Sequence, residues 1–185
     1  MEQVVIYGGA FNPPTKAHQA IVQAGAEYAS EMNGSFWLLF SGVRRDKGIG
    51  VDRDTRISYG EALLASVDAE CELLVQTHEL DRGFSQTIDT VRQLEEAYPD
   101  TQFTWIFGSD SIQTMPKWHG GNWLLRNLQM LVVQRAGYEL ELQDNMTALE
   151  ADAITCSSTG VRERLAEGQR IDDLVPKQVL QLFES

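Results

Sequence analysis

Short apolar runs alternate with stretches of helical period along the chain. Val4-Val5-Ile6-Tyr7 has the composition of a buried strand, and Gly8-Gly9 permits a sharp exit that a side chain would hinder. After Asn12-Pro13-Pro14 a helical pattern begins near Thr15 and lines up Ala17, Ile21, Ala24 and Tyr28. The alternation recurs with Phe36 to Phe40 as a second strand, a charged loop, and a helix carrying Ile57, Leu64 and Val67. Leu73-Leu74-Val75 is a short third strand, and Ser85 is placed to cap a helix bearing Ile88, Val91, Leu94 and Tyr98, which Pro99 stops. Phe103 to Phe107 gives a fourth strand ending at Gly108, Met130 to Val133 a fifth, and Ala153-Ile154-Thr155 a short sixth. Ser158 or Thr159 is expected to cap a helix with Val161 and Leu165 that Gly168 ends, and Pro176 to start a closing helix through Leu180 and Phe183. The pattern predicts an α/β fold, a Rossmann-like and mostly parallel sheet with helices on both faces and a helical C-terminal part.

The chain has 185 residues, enough for one domain spanning 1–185. No apolar run approaches the roughly 20 residues that cross a bilayer, and Val4 to Tyr7 is too short for a secretory signal, so a soluble cytoplasmic protein is expected. Cys71 and Cys156 lack any disulfide or metal-ligand spacing and read as thiols in or near the core. A net charge of -12 argues against nucleic acid as a partner. Within that acidic background, Arg44, Arg45, Lys47, Arg53 and Arg56 outnumber Asp46, Asp52 and Asp54, which suits either a solvated loop or one facing a small anion.

Four polar clusters each follow an expected strand: Gly8 to His18, Ser41 to Lys47, Gly108 to Asp110, and Ser157 to Arg162. Right-handed crossovers bring the carboxyl ends of such strands to one edge, where ligands bind. In the first cluster, glycines admit an anion to backbone amides, and the helix starting near Thr15 aims its unpaired N–H groups the same way. Thr15 and His18, three apart, share a face of the first turn. The spacing matches neither the dinucleotide fingerprint nor the Gly-Lys-Ser/Thr phosphate loop. In the last cluster, Ser157, Ser158 and Thr159 precede a helix whose first turn holds Arg162, which makes a second phosphate cradle. Each cluster taken alone also reads as an ordinary helix start: a structural or surface histidine in one, a hydroxyl cap with a solvated arginine in the other. Two cradles meeting at one edge are harder to explain as caps.

Gly9-Ala10-Phe11-Asn12-Pro13-Pro14-Thr15-Lys16-Ala17-His18 and Ser157-Ser158-Thr159-Gly160-Val161-Arg162 resemble the two signatures of the nucleotidyltransferase superfamily. Within it the chain is most similar to bacterial nicotinate-mononucleotide adenylyltransferases, through Arg82-Gly83-Phe84-Ser85-Gln86-Thr87, Gly108-Ser109-Asp110 with Trp118, Arg135-Ala136-Gly137, and the ending from Ile171 to Phe183. The likeness runs in order along nearly the whole chain. It departs from the family where Thr15-Lys16-Ala17-His18 replaces His-x-Gly-His, where Arg45-Asp46-Lys47 replaces Pro-His-Lys, and at Gly120-Gly121.

The resemblance implies that His18 and Thr15 contact ATP phosphates, that the backbone of Gly8, Gly9, Ala10 and Phe11 packs on the nucleotide, and that Lys47 reaches phosphates from the opposite loop. It implies that Arg162 with Ser157, Ser158 and Thr159 holds the β- and γ-phosphates, and that Gly108 and Asp110 lie by the nucleotide ribose. Trp118 would stack on the acceptor's pyridine, with Phe84 and Thr87 nearby. Mg2+ is expected with ATP, without protein metal ligands. The expected reaction is adenylyl transfer from ATP to nicotinate mononucleotide. Other acceptors are nicotinamide mononucleotide, phosphopantetheine and flavin mononucleotide, with CTP as another donor. From other classes come a nucleotide-binding regulator without turnover and an RNA-binding module, the latter disfavoured by charge. A homo-oligomer is compatible with the sequence.

Overall fold

The computed structural model describes residues 1–42, 51–82, 86–152 and 154–184. Six parallel strands form one sheet: β1 (Glu2–Gly9), β2 (Ser35–Phe40), β3 (Glu72–Gln76), β4 (Thr101–Gly108), β5 (Gln129–Val133) and β6 (Met146–Ala148), in the order β3-β2-β1-β4-β5-β6. From β1 the chain winds outward through β2 to β3, then returns to the other side of β1 and winds outward through β4, β5 and β6. The reversal lies between β1 and β4, the place where open parallel sheets leave a crevice at their carboxyl ends.

Residues of alternate parity on the central strands feed two cores. Val4 and Ile6 of β1 join Trp37, Leu39, Met130 and Val132 on one face, under Ile88, Val91 and Leu94 of α4 (Thr87–Ala97). Val5 and Tyr7 join Phe36, Leu38, Phe40, Ile106 and Leu131 on the other, under Ile21 and Val22 of α1 (Lys16–Glu31) and Leu63 of α2 (Arg53–Leu64). Both faces are covered, so the middle strands carry apolar residues on both sides along their buried lengths. Gly25 lets α1 approach the sheet, because a Cβ there would lie 2.7 Å from the Phe36 ring.

Between β3 and α4 lies α3 (His78–Arg82). Then α5 (Ser109–Thr114) leaves β4, a 3-10 turn spans Met115–Lys117, and α6 (Gly121–Asn127) precedes β5. Val161 of α7 (Ser158–Ala166) and Val179 of α8 (Lys177–Glu184) form a smaller third core with Ile171 and Val175, and Phe183 stacks on Tyr59 of α2 at 5.7 Å.

The expected sixth strand at 153–155 is not the one that forms. Met146–Ala148 pairs with β5 instead, while Ile154 and Thr155 lie outside any strand and Ala153 lies outside the described residues. Only Met146 of the pairing segment is buried, so an edge strand of three residues carries little apolar signal. The helix cap is Ser157, one residue earlier than expected, its hydroxyl accepting from the Gly160 N–H at 3.1 Å. Ser85, the cap expected for α4, lies outside the described residues, and that helix starts after Gln86 without a side-chain cap.

Gly120 adopts φ 68° as the N-cap of α6, and a Cβ on Gly121 would run into the Met115 carbonyl oxygen. This double glycine therefore sets the backbone around Trp118, whose carbonyl accepts from the Gly121 N–H at 3.0 Å. Gly8, by contrast, is exposed at the end of β1, and a Cβ there meets nothing nearer than the Leu39 carbonyl oxygen at 4.0 Å. Gly121→Ala should cost about 1–3 kcal/mol, since the backbone must shift, whereas Gly8→Ala should leave stability within about 1 kcal/mol. Urea unfolding of the two variants checks the contrast, and equal losses would overturn it.

Candidate functional site

The register of the sheet levels the ends of its central strands. Gly9 lies opposite Phe40, and Gly108 opposite Val133, so the turns leaving β1, β2, β4 and β5 share one edge. Phe11, in the turn after β1, has φ 45°, and its buried ring folds back over Gly9, where any Cβ would meet it at 2.9 Å. Non-glycine residues tolerate that backbone only when packing holds them. Here Tyr7, Phe40 and His18 present rings to Phe11 edge-on, with centroids 5.3, 5.7 and 5.2 Å away.

Thr15 caps α1 reciprocally with His18. The Thr15 hydroxyl accepts from the His18 N–H at 3.4 Å, and the His18 Nδ1 accepts from the Thr15 N–H at 3.0 Å. An accepting Nδ1 fixes the neutral tautomer that carries its proton on Nε2. Burial, aided by the positive charge of Arg135, lowers the His18 pKa to about 4. His18 is therefore a neutral N–H donor at pH 7. Thr15 is fully buried with its hydroxyl engaged, so its part is to hold the imidazole.

The last cluster is bound directly to the first. Arg162 donates from Nη1 to the Asn12 carbonyl at 2.6 Å and from Nη2 to the Thr159 hydroxyl at 3.1 Å. Ser158 donates to the Pro13 carbonyl at 2.8 Å, and the Ala17 N–H to the Cys156 sulfur at 3.3 Å. The expected facing of two helix N-termini is thus present, with Cys156 at the seam between α1 and the segment before α7. Cys71 lies against the α1 face of the core. A guanidinium has five N–H donors, and these two contacts leave others for an anion.

On the far side of the crevice, Arg135 Nε lies 3.2 Å from Asp110 Oδ1, and the Arg135 N–H donates to the Ser109 hydroxyl at 2.9 Å. A Cβ on Gly108 would strike both the Asp110 carboxylate and Arg135, so glycine is needed at this strand end. Arg135 was visible in the sequence as part of Arg135-Ala136-Gly137 but carried no assigned role. Its charge acts on Tyr7 and His18 as well. Trp118 is half-buried with its ring 6.2 Å from Phe107, and Ile88, next to Thr87, is the side chain that a Cβ on Gly120 would meet. The structure thereby brings the start of α4 beside the Trp118 turn. Lys47 and Phe84 lie outside the described residues.

A strand-reversal crevice with facing phosphate-type cradles defines a class of nucleotide-binding α/β proteins. The family model described as cytidylyltransferase-like matches residues 6–164. Curated relatives described as "Probable nicotinate-nucleotide adenylyltransferase" include one from Halalkalibacterium halodurans, 30% identical over 184 residues that cover 97% of this chain and 87% of the relative. Another, from Bacillus mycoides, is 32% identical over 97% of this chain and 94% of its own length. The chain belongs to the nicotinate-nucleotide adenylyltransferase family of the cytidylyltransferase-like nucleotidyltransferases. The fold also resembles a structure of Plasmodium falciparum nicotinic acid mononucleotide adenylyltransferase complexed with NaAD. That likeness has a TM-score of 0.81 at 18% identity, covering 100% of this chain and 96% of the other.

The cap geometry sets a pH signature. Because the folded pKa of His18 is depressed below its unfolded value, the unfolded chain binds the extra proton first. The contribution of His18 to stability should be intact above about pH 6.5 and fall away as pH drops toward about 4. Imidazole NMR shifts should place the His18 midpoint near pH 4, and a midpoint near 6.5 would refute the neutral cap.

Proposed function

We propose that the protein transfers the adenylyl group of MgATP to nicotinate mononucleotide, giving nicotinate adenine dinucleotide and pyrophosphate. The observation that carries this proposal is the seating of Arg162 and the N-terminus of α7 on the turn between β1 and α1, which joins two anion-binding helix starts beside the strand reversal.

In this mechanism an acceptor phosphate oxygen attacks the α-phosphorus in line. The new O–P bond forms as the α–β bridging bond breaks, and pyrophosphate takes the electron pair. The residues position and neutralise. His18 donates its Nε2 proton as a hydrogen bond to a phosphate oxygen and keeps it through the step. Thr15 holds His18 in place. Arg162 offers its remaining donors to the leaving pyrophosphate, supported by Ser157, Ser158 and Thr159, with Lys47 opposite. Gly8 and Gly9 allow the nucleotide close to the backbone, Ala10 and Phe11 shape that turn, and Gly108 and Asp110 face the ribose. Trp118, Thr87 and Phe84 take the pyridine ring. Mg2+ arrives with ATP as part of the substrate. Among the described residues no group of three acidic, histidine or cysteine side chains is placed to hold a metal.

Arg162→Lys should lower turnover at least tenfold despite its retained charge, because one ammonium cannot hold the Asn12 carbonyl and Thr159 hydroxyl while gripping pyrophosphate. Wild-type turnover in that variant would reduce Arg162 to a surface cation.

Choice of the acid over the amide would require N–H donors for the carboxylate, since stacking on Trp118 serves either ring. The ratio of kcat/KM for nicotinate over nicotinamide mononucleotide should be about 100 or more, corresponding to roughly 3 kcal/mol of differential transition-state binding. A ratio near or below one would refute the acceptor assignment. Trp118→Ala should weaken both acceptors and leave their ratio little changed.

A further inference from the structure

Arg56 is the one arginine among the buried residues described, only 3% exposed, although it belongs to α2 and not to any of the clusters above. Its Nη2 donates to two backbone carbonyls from different turns, Ser41 after β2 at 2.7 Å and Ala10 after β1 at 3.3 Å. The guanidinium lies over the Phe40 ring, 5.1 Å from its centroid, and Phe40 in turn meets Phe11, whose ring meets His18. Gly60 makes room for this stack, since a Cβ there would lie 2.7 Å from Phe40.

A second, partly buried link continues from the same turn. Next to Ser41, the Gly42 N–H donates to Glu79 Oε2 at 2.9 Å, and Glu79 Oε1 accepts from the Thr90 hydroxyl at 2.6 Å. Thr90 is fully buried on α4, one turn from Thr87. Burial lowers the Arg56 pKa and the Glu79 carboxylate acts to raise it again, so the two groups share one electrostatic environment. The contacts therefore run from His18 through Phe11 and Ala10 to Arg56, then through Ser41 and Gly42 to Glu79, and end on α4. Stability alone accounts poorly for this arrangement, because well-packed apolar side chains often match or exceed buried charged groups such as the Arg56 guanidinium in stability. Strapping backbone turns from two strands at once is something an apolar side chain cannot do.

We propose that Arg56 and Glu79 are positioning residues which hold the nucleotide turn in register with the acceptor arm, so that the two substrates meet at attacking distance. The inference rests on the proposed adenylyl transfer, with Thr87 and Trp118 on the acceptor side. Misplacement of reacting groups by about 1 Å can cost roughly 100-fold in rate, which makes a strap of this kind effective without touching either substrate.

The test uses the full chain with MgATP and nicotinate mononucleotide, comparing Arg56→Lys, Arg56→Met, Glu79→Gln and the double variant Arg56→Lys/Glu79→Gln. Arg56→Lys should lower kcat about tenfold or more with the KM for ATP within threefold, and Arg56→Met should lose more. Glu79→Gln should raise the KM for the acceptor and leave that for ATP unchanged. Because both act through one chain of contacts, the loss in the double variant should be clearly smaller than the product of the single losses. Active-site titration separates positioning from folding. Full turnover per folded site in both single variants, whatever their melting temperatures, would overturn the proposal, as would multiplicative losses. Should Arg56→Lys fail to fold, Glu79→Gln and Thr90→Val decide by the same split between the two KM values. A wild-type enzyme active only on another phosphomonoester would refute the acceptor assignment alone, and the cycle then runs on that acceptor. Inactivity on nicotinate and nicotinamide mononucleotides, phosphopantetheine and flavin mononucleotide would refute both.

Discussion

The reversal of strand order between β1 and β4 is the constraint on which the site depends. Two half-sheets winding away from each other leave their crossover helices on opposite faces, which opens a crevice above the carboxyl ends of these two strands. Gly8-Gly9 and Gly108 stand at the two sides of that gap, and Gly9 and Gly108 are each placed where the following chain turns back closely. At Gly9 the obstacle to a side chain is the Phe11 ring. At Gly108 it is the Asp110 carboxylate with Arg135.

The electrostatics of this edge differ from those of the molecule as a whole. With a net charge of -12 the protein repels anions at long range, and screening limits that repulsion to about 10 Å or less in physiological salt. In the proposed reaction, anion binding therefore rests on short-range donors: amide groups at the starts of α1 and α7, the Nε2 proton of His18, and the guanidinium of Arg162. The reciprocal cap matters here because it settles which nitrogen of His18 faces away from the backbone with a proton. A neutral donor keeps the same hydrogen bond across the pH range where an exposed imidazole would gain and lose charge.

Much of this was legible in the sequence because the chemistry and the secondary structure coincide. Five of the strands are apolar runs ended by glycine or polar turns, and the Gly8 to His18 and Ser157 to Arg162 segments announce themselves as helix starts. The sixth strand was not legible, since Met146-Thr147-Ala148 pairs on one side only and shows one buried residue. Nor was the reciprocal cap: histidine at the third helical position stands where glutamate or glutamine is usual, and its ring nitrogen does the same work. Arg56 was counted among the cations of a charged loop, and only the fold shows it buried beneath the turns of β1 and β2.

Gly120-Gly121 shows how a departure from a family pattern acquires a physical meaning. In sequence it stands only as a place where the chain departs from the family. In the structure Gly120 takes a left-handed backbone against Ile88, and Gly121 sits against the Met115 carbonyl, so the pair clamps the Trp118 turn onto α4. The glycines thus set a distance between backbone segments. That same helix carries Thr90, the end of the chain of contacts from Arg56, so α4 is fixed at two points, by Ile88 toward Trp118 and by Thr90 toward Glu79. A helix held at two points cannot slide relative to the strand ends without breaking one of them. The Trp118 side of the crevice is consequently tied to the turns after β1 and β2 through contacts made at the first turn of α4, where Ile88 and Thr90 both lie.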